Sequence, residues 1–164
     1  MAKRVDKKAK RIKSLFDALN DAVRQRWETV NQKGHDFYLD NQLTQQEKEA
    51  LEDQGMPTFT VNRIIPVVEM LNYYATSNSP RWQAVGVEQS DSDVASLFAD
   101  VADYVWNYSN GQTLYSNVVN DSITKGIGFL QVCVDPNADN GMGEVIIQQP
   151  DPFDVFVDPK SRDP

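Results

Sequence analysis

The sequence predicts an α+β fold: a long N-terminal helix, then several further helices packed on a small mixed or antiparallel sheet. Three observations carry that expectation. Apolar residues recur at three- and four-residue steps over residues 4–33 and again over residues 91–125. Short β-branched and aromatic runs gather after Gly126, divided by a turn rich in Asp, Asn and Gly. The 164 residues, 40% hydrophobic and 10% aromatic, suffice for one domain or a domain with an appended arm.

The elements follow in order. Val5, Ala9, Ile12, Phe16, Leu19, Val23, Trp27 and Val30 stack on one face of a single helix over residues 4–33, with Gly34 as its stop. The boundary is drawn there: a basic amphipathic arm over residues 1–34 and an α+β body over residues 35–164. The arm's stripe is narrow and its other face charged, so it needs a partner surface. Residues 35–43 read as a loop with aromatic Phe37 and Tyr38. Thr44-Gln45-Gln46-Glu47 is a capping box that opens a short helix ending near Gln54-Gly55. Asn62 caps the next helix, which runs to about Ser77 with Pro66 in its first turn, where a missing N–H costs little. Pro80 to Val87 alternates as a short strand.

Residues 91–109 form an amphipathic helix with Val94, Leu97, Phe98, Val101, Val105 and Tyr108 on one face. Gly111 separates it from a second helix bearing Leu114, Tyr115, Val118, Val119 and Ile123, which ends at Lys125-Gly126. Ile127–Val134 reads as a buried strand, Pro136–Gly143 as a turn, and Glu144–Gln148 and Phe153–Val157 as further strands. The sequence closes in a proline-rich connector with no closing element, the pattern expected of the front part of a longer protein.

Charge is divided unevenly. Residues 1–33 carry ten basic against four acidic side chains; the rest carries six against twenty. The net charge of −8 is therefore a basic arm on an acidic body. Lys3, Arg4, Lys7, Lys8, Lys10, Arg11 and Lys13 form a candidate electrostatic contact, against the plainer reading of a solvated helix face. An acidic body repels phosphate, which argues against a simple nucleic-acid-binding domain. The single cysteine, Cys133, excludes an internal disulfide and fits a reducing compartment. No apolar run approaches the roughly 18 residues of a membrane span, so a soluble protein without a membrane partner is expected.

Chemical constellations are weak throughout. Asp135, Asn137 and Asp139 resemble the start of a calcium loop, but Asn140 stands where glycine is required and Ile146 where glutamate is. A hairpin turn explains them better. Gly126-Ile127-Gly128 follows a helix and precedes a strand, the reverse of a dinucleotide loop, and fits a helix cap with a close-packed strand start. His35 is the only histidine, so no zinc constellation exists. Asp154 and Asp158 in a strand would lie about 13 Å apart, too far for a shared metal. Asp151 before Pro152 more often sets a turn. No catalytic residue, metal site or cofactor is expected.

Several blocks, in order, resemble the N-terminal region of the portal, or head-to-tail connector, proteins of tailed bacteriophages, podovirus-type portals in particular. They are Arg26-Trp27 through Asn41-Gln42; Gly55-Met56-Pro57 with Asn62-Arg63-Ile64; Ser79-Pro80-Arg81; Asp121 through Gly126-Ile127-Gly128 to Val132; and Phe153 through Asp158-Pro159-Lys160-Ser161. The resemblance implies the wing-like portion of a ring of about twelve subunits at one capsid vertex. It further implies DNA passing through the channel, terminase and tail or adaptor proteins docking, contacts with capsid and scaffolding proteins, and no catalysis. The location would be the virion, with assembly in the host cytoplasm. Phe16, Leu19, Val23 and Trp27 are the candidate contacts for a neighbouring subunit or tail protein, and alanine at Trp27 is expected to weaken assembly. The competing reading is a small adaptor whose basic helix binds nucleic acid or an acidic partner. A metal-dependent hydrolase is the third, and the carboxylate spacing disfavours it.

Overall fold

A computed structural model describes residues 2–86 and 91–158, with side chains from Lys7 onward. Val87 of the expected strand, Pro159-Lys160-Ser161, and the side chains of Lys3, Arg4 and Val5 lie outside the described residues. Among the described residues there are six α-helices and one two-stranded antiparallel sheet. The helices are α1 (Ala2–Leu19), α2 (Ala22–Tyr38), α3 (Gln45–Asp53), α4 (Ile64–Thr76), α5 (Ser92–Tyr108) and α6 (Gly111–Lys125). The strands are β1 (Gln131–Asp135) and β2 (Glu144–Gln148). The chain divides into two units, one built from residues up to Ile64 together with those from Asp151, the other from Ile65–Pro150.

In the first unit the expected single helix is two. Asp21 adopts an extended backbone (φ −80°, ψ 176°) and its carboxylate accepts the Arg24 N–H at 2.8 Å, starting α2 afresh. The apolar period runs through Asn20-Asp21 unbroken, but short polar side chains that bond their own backbone favour a cap there. Gly34 does not stop α2, which continues through Phe37 and Tyr38. It ends instead on Asp40, whose φ of 67° takes the place that glycine usually fills. The Asn41 N–H bonds the Asp36 carbonyl at 2.8 Å and the Asp40 N–H that of Phe37 at 3.2 Å. Gly55 (φ 70°) closes α3 the same way, with the Met56 N–H on the Leu51 carbonyl at 2.9 Å. The capping box at Thr44 forms as the sequence predicts.

Asn62 does more than cap α4. Its carbonyl oxygen accepts the Ile64 N–H at 2.9 Å, and its amide donates to the carbonyls of Phe37 (3.2 Å) and Tyr38 (2.9 Å). Thr60 donates to Asp40 at 2.7 Å. The segment before α4 is thus tied to the otherwise unsatisfied end of α2.

In the second unit α5 packs against α6 and β2, and Val68 and Trp106 are its buried apolar side chains among the described residues. Gly111 is the first residue of α6 rather than a spacer, and the linker is Ser109-Asn110, with Asn110 at φ 53°. A Cβ at Gly111 would stand 2.2 Å from the Trp106 ring, so only glycine lets α6 start there. Asn72 donates to Ser116 at 3.2 Å and Gln112 to the Thr76 carbonyl at 3.2 Å, joining α4 to α6.

The hairpin pairs Gln131 with Gln148 and Asp135 with Glu144 at its two ends. β1 starts at Gln131, later than expected, and it is not a buried strand: Val132 and Val134 face outward. Residues 80–86 form no strand; Trp82 instead meets Trp106 edge to face at 6.0 Å. Phe153–Val157 is likewise a turn and an extended segment, because Asp151 accepts the Phe153 N–H at 2.9 Å and Arg24 takes the carbonyls a ladder would need.

Candidate functional site

Arg24 organises the surface that holds the candidate contact residues. Its guanidinium donates to the carbonyls of Phe153 (2.6 Å) and Pro152 (3.3 Å). The same plane lies over the rings of Trp27 (4.5 Å) and Phe156 (4.7 Å). Trp27 packs on Phe153 at 5.5 Å, and Phe16 meets Phe156 edge to face at 5.0 Å. The residue 151–157 segment is thereby fastened along α1 and α2, with Pro152 fully buried.

Leu19, Val23 and Trp27 line an open groove of about 260 Å³ with Asp21, Arg24 and Val157. Phe16 lies beside Phe156 and does not line it. Val23 is 75% exposed, whereas Trp27 is half-buried and spends much of its ring inside its own chain. Lys7, Lys8, Lys10, Arg11 and Lys13 are all exposed along α1.

Periodicity alone did not show which way the α5 stripe faces. Its small side chains Ala95, Ala99 and Ala102, with Trp106, turn inward. The large ones, Val94, Leu97, Phe98, Val101, Tyr104 and Tyr108, stay outside. Alanines opposite a large apolar stripe are the sequence signal that could have revealed it, since they allow close approach to a neighbouring element. On this surface Tyr104 donates to Glu144 at 2.6 Å and stacks on Tyr108 at 5.8 Å. The hydrogen bond to Glu144, with its charge, raises the Tyr104 hydroxyl pKa above the usual tyrosine value. The Glu144 charge, then its hydrogen bond, raises that of Tyr108. At the α3 cap, bonds from Thr44 hold Glu47 below the usual carboxylate range.

A second polar cluster fixes the end of α6. Asp121 pairs with Lys125 at 3.0 Å, both largely buried, and accepts from Gln149. Gly126 takes φ 83°, and Gly128 lies so close to α6 that a Cβ would reach the Val118 carbonyl at 2.3 Å. The aspartate–glycine-x-glycine cassette is therefore a helix cap followed by a connector packed closely on α6, ahead of β1 at Gln131. The Asp135 carboxylate accepts the Asn137 N–H at 2.9 Å, and Asp139, Asn140 and Gly141 all take positive φ, as a hairpin turn requires. Among the described residues no three His, Cys, Asp or Glu gather to hold a metal, and no helix is long and apolar enough to cross a membrane.

What remains is exposed apolar surface. Ile12, Val23, Phe59, Tyr73, Tyr74, Val85, Phe98 and Val132 are all more than 60% exposed. Apolar faces of this extent mark interaction surfaces.

Surface of this kind is what a protein that assembles with other chains presents. A sequence model of the phage P22-like portal protein family matches residues 13–164. The chain belongs to that family, the structural head-to-tail connectors of bacteriophages. No curated protein and no solved structure matches it significantly.

Proposed function

We propose that the chain is a subunit of a portal ring of about twelve copies, set at one vertex of the capsid. Through the ring, double-stranded DNA enters during packaging and leaves during ejection. Terminase, tail or adaptor proteins, capsid and scaffolding proteins dock on it. The observation that carries this reading is the exposed apolar surface of a chain in this family. Ring neighbours are the partners that would cover such faces in every copy. The acidic body suits a conduit, because it repels phosphate and lets DNA slide. Chemistry is not part of this role.

The groove of Leu19, Val23 and Trp27, with Phe16 beside it, supplies one contact for a neighbouring subunit or a tail protein. Lys3, Arg4, Lys7, Lys8, Lys10, Arg11 and Lys13 supply an electrostatic one. Negative-stain microscopy of the purified gene product tests the reading: closed rings support it, and a dispersed monomer contradicts it. The exposed basic residues of α1 favour a second reading, an adaptor that grips DNA or an acidic partner. That reading requires a DNA complex that weakens steeply with salt.

A further inference from the structure

The two amphipathic helices α1 and α5 carry opposite charge around apolar faces of similar kind. On α1, Ile12 (67% exposed), Leu15 and Phe16 share a face bordered by Lys8, Arg11 and Lys13. On α5, Leu97 (62% exposed), Phe98 and Val101 share a face bordered by Asp93 and Asp100, and α5 contains no basic residue. The exposed face of α4 offers no comparable partner, because Glu69 is the only charged residue on that helix.

We propose that α1 of one subunit seats on the α5 face of the next. Three pairings of these two faces between copies are conceivable. Pairing α5 with α5 opposes Asp93 and Asp100 to themselves, and α1 with α1 opposes lysines and arginines. Like charges brought together around an apolar seam oppose association. Only α1 on α5 matches apolar with apolar and cation with carboxylate. The two faces are different surfaces of one chain, so the contact is head-to-tail, and head-to-tail contacts close into rings when the rotation permits. The proposal rests on the ring reading and adds to it the surface by which neighbours join.

Maleimide crosslinking tests it on the whole gene product in a Cys133→Ser background. Ile12→Cys is combined with Leu97→Cys or Val101→Cys, treated with a bismaleimide, and run on a denaturing gel. The expected result is a ladder beyond the dimer, because each subunit links to two neighbours. Either cysteine alone yields nothing larger than a dimer. Asp93→Lys with Asp100→Lys should cut the ladder about tenfold, the scale of one to two lost charge pairs, and Lys8→Glu with Arg11→Glu should restore it. Native mass spectrometry of the same samples separates the two failures. Rings without a ladder, or only a fast-migrating intrachain product, overturn the α1–α5 contact and leave the ring. No ring at all overturns both.

Discussion

Arg24 joins α2 to the 151–157 segment by two hydrogen bonds and two ring faces, while its side chain stays largely shielded. A lysine cannot reproduce the planar fork or the stacking. Arg24→Lys should therefore lower stability by about 1–2 kcal/mol, read as a shift of the urea midpoint with an unchanged slope; no shift would mean the segment is held elsewhere. Gly111 makes the opposite demand, for an absent atom. Gly111→Ala places a Cβ against a rigid indole rather than a flexible side-chain end. It should cost about 1–3 kcal/mol and change the near-ultraviolet dichroism of the tryptophans.

The tyrosine pair makes a prediction in pH. Both hydroxyls titrate above their ordinary value because of Glu144. A group whose folded pKa is raised contributes stability that is present below its unfolded pKa, near 10. That contribution is lost as pH rises through the folded value. Glu144→Gln should bring the Tyr104 and Tyr108 transitions down toward the ordinary range in an ultraviolet titration. Unmoved transitions would show that Glu144 is not the cause.

At the scale of elements, the helices from α3 to α6 and the strand β2 were legible because caps and periods are local. Thr44 with Glu47, Asn62 before Ile64, and Gly126 after Lys125 all stand where the backbone needs them. Thr44→Ala should cost about 1 kcal/mol, measured by thermal unfolding. The failures are equally physical. The break at Asn20-Asp21 was hidden because the apolar stripe continues across it, so period and cap signals conflicted. The segments 80–86 and 153–157 have strand composition but find aromatic and arginine partners instead of a ladder. Composition gives the tendency of a segment, and a partner decides whether it becomes sheet.

Leu19, Val23 and Trp27 line one groove: Val23 and Trp27 share a face of α2 at a four-residue step, and Leu19 at the end of α1 joins them although the helix breaks between. That Trp27 is partly occupied by Phe153 and Arg24 was not legible, because the packing segment lies more than a hundred residues away in sequence. Trp27→Ala would thus loosen the subunit as well as any assembly contact. Val23→Asp, on an exposed side chain, is the cleaner probe of assembly; it should shift the ring–monomer balance toward monomer while leaving the monomer's unfolding midpoint within about 0.5 kcal/mol of the parent.

For the whole molecule, the decisive quantity is the apolar surface left in water. Among the described residues few apolar side chains are buried, and large ones crowd the outside of α1, α4 and α5. In the proposed ring, neighbouring copies would cover those faces. Native mass spectrometry of the purified gene product across a range of concentrations decides whether copies of the chain close on one another. A single closed oligomer of about twelve copies that persists on dilution is expected; a monodisperse monomer at every concentration would contradict the ring.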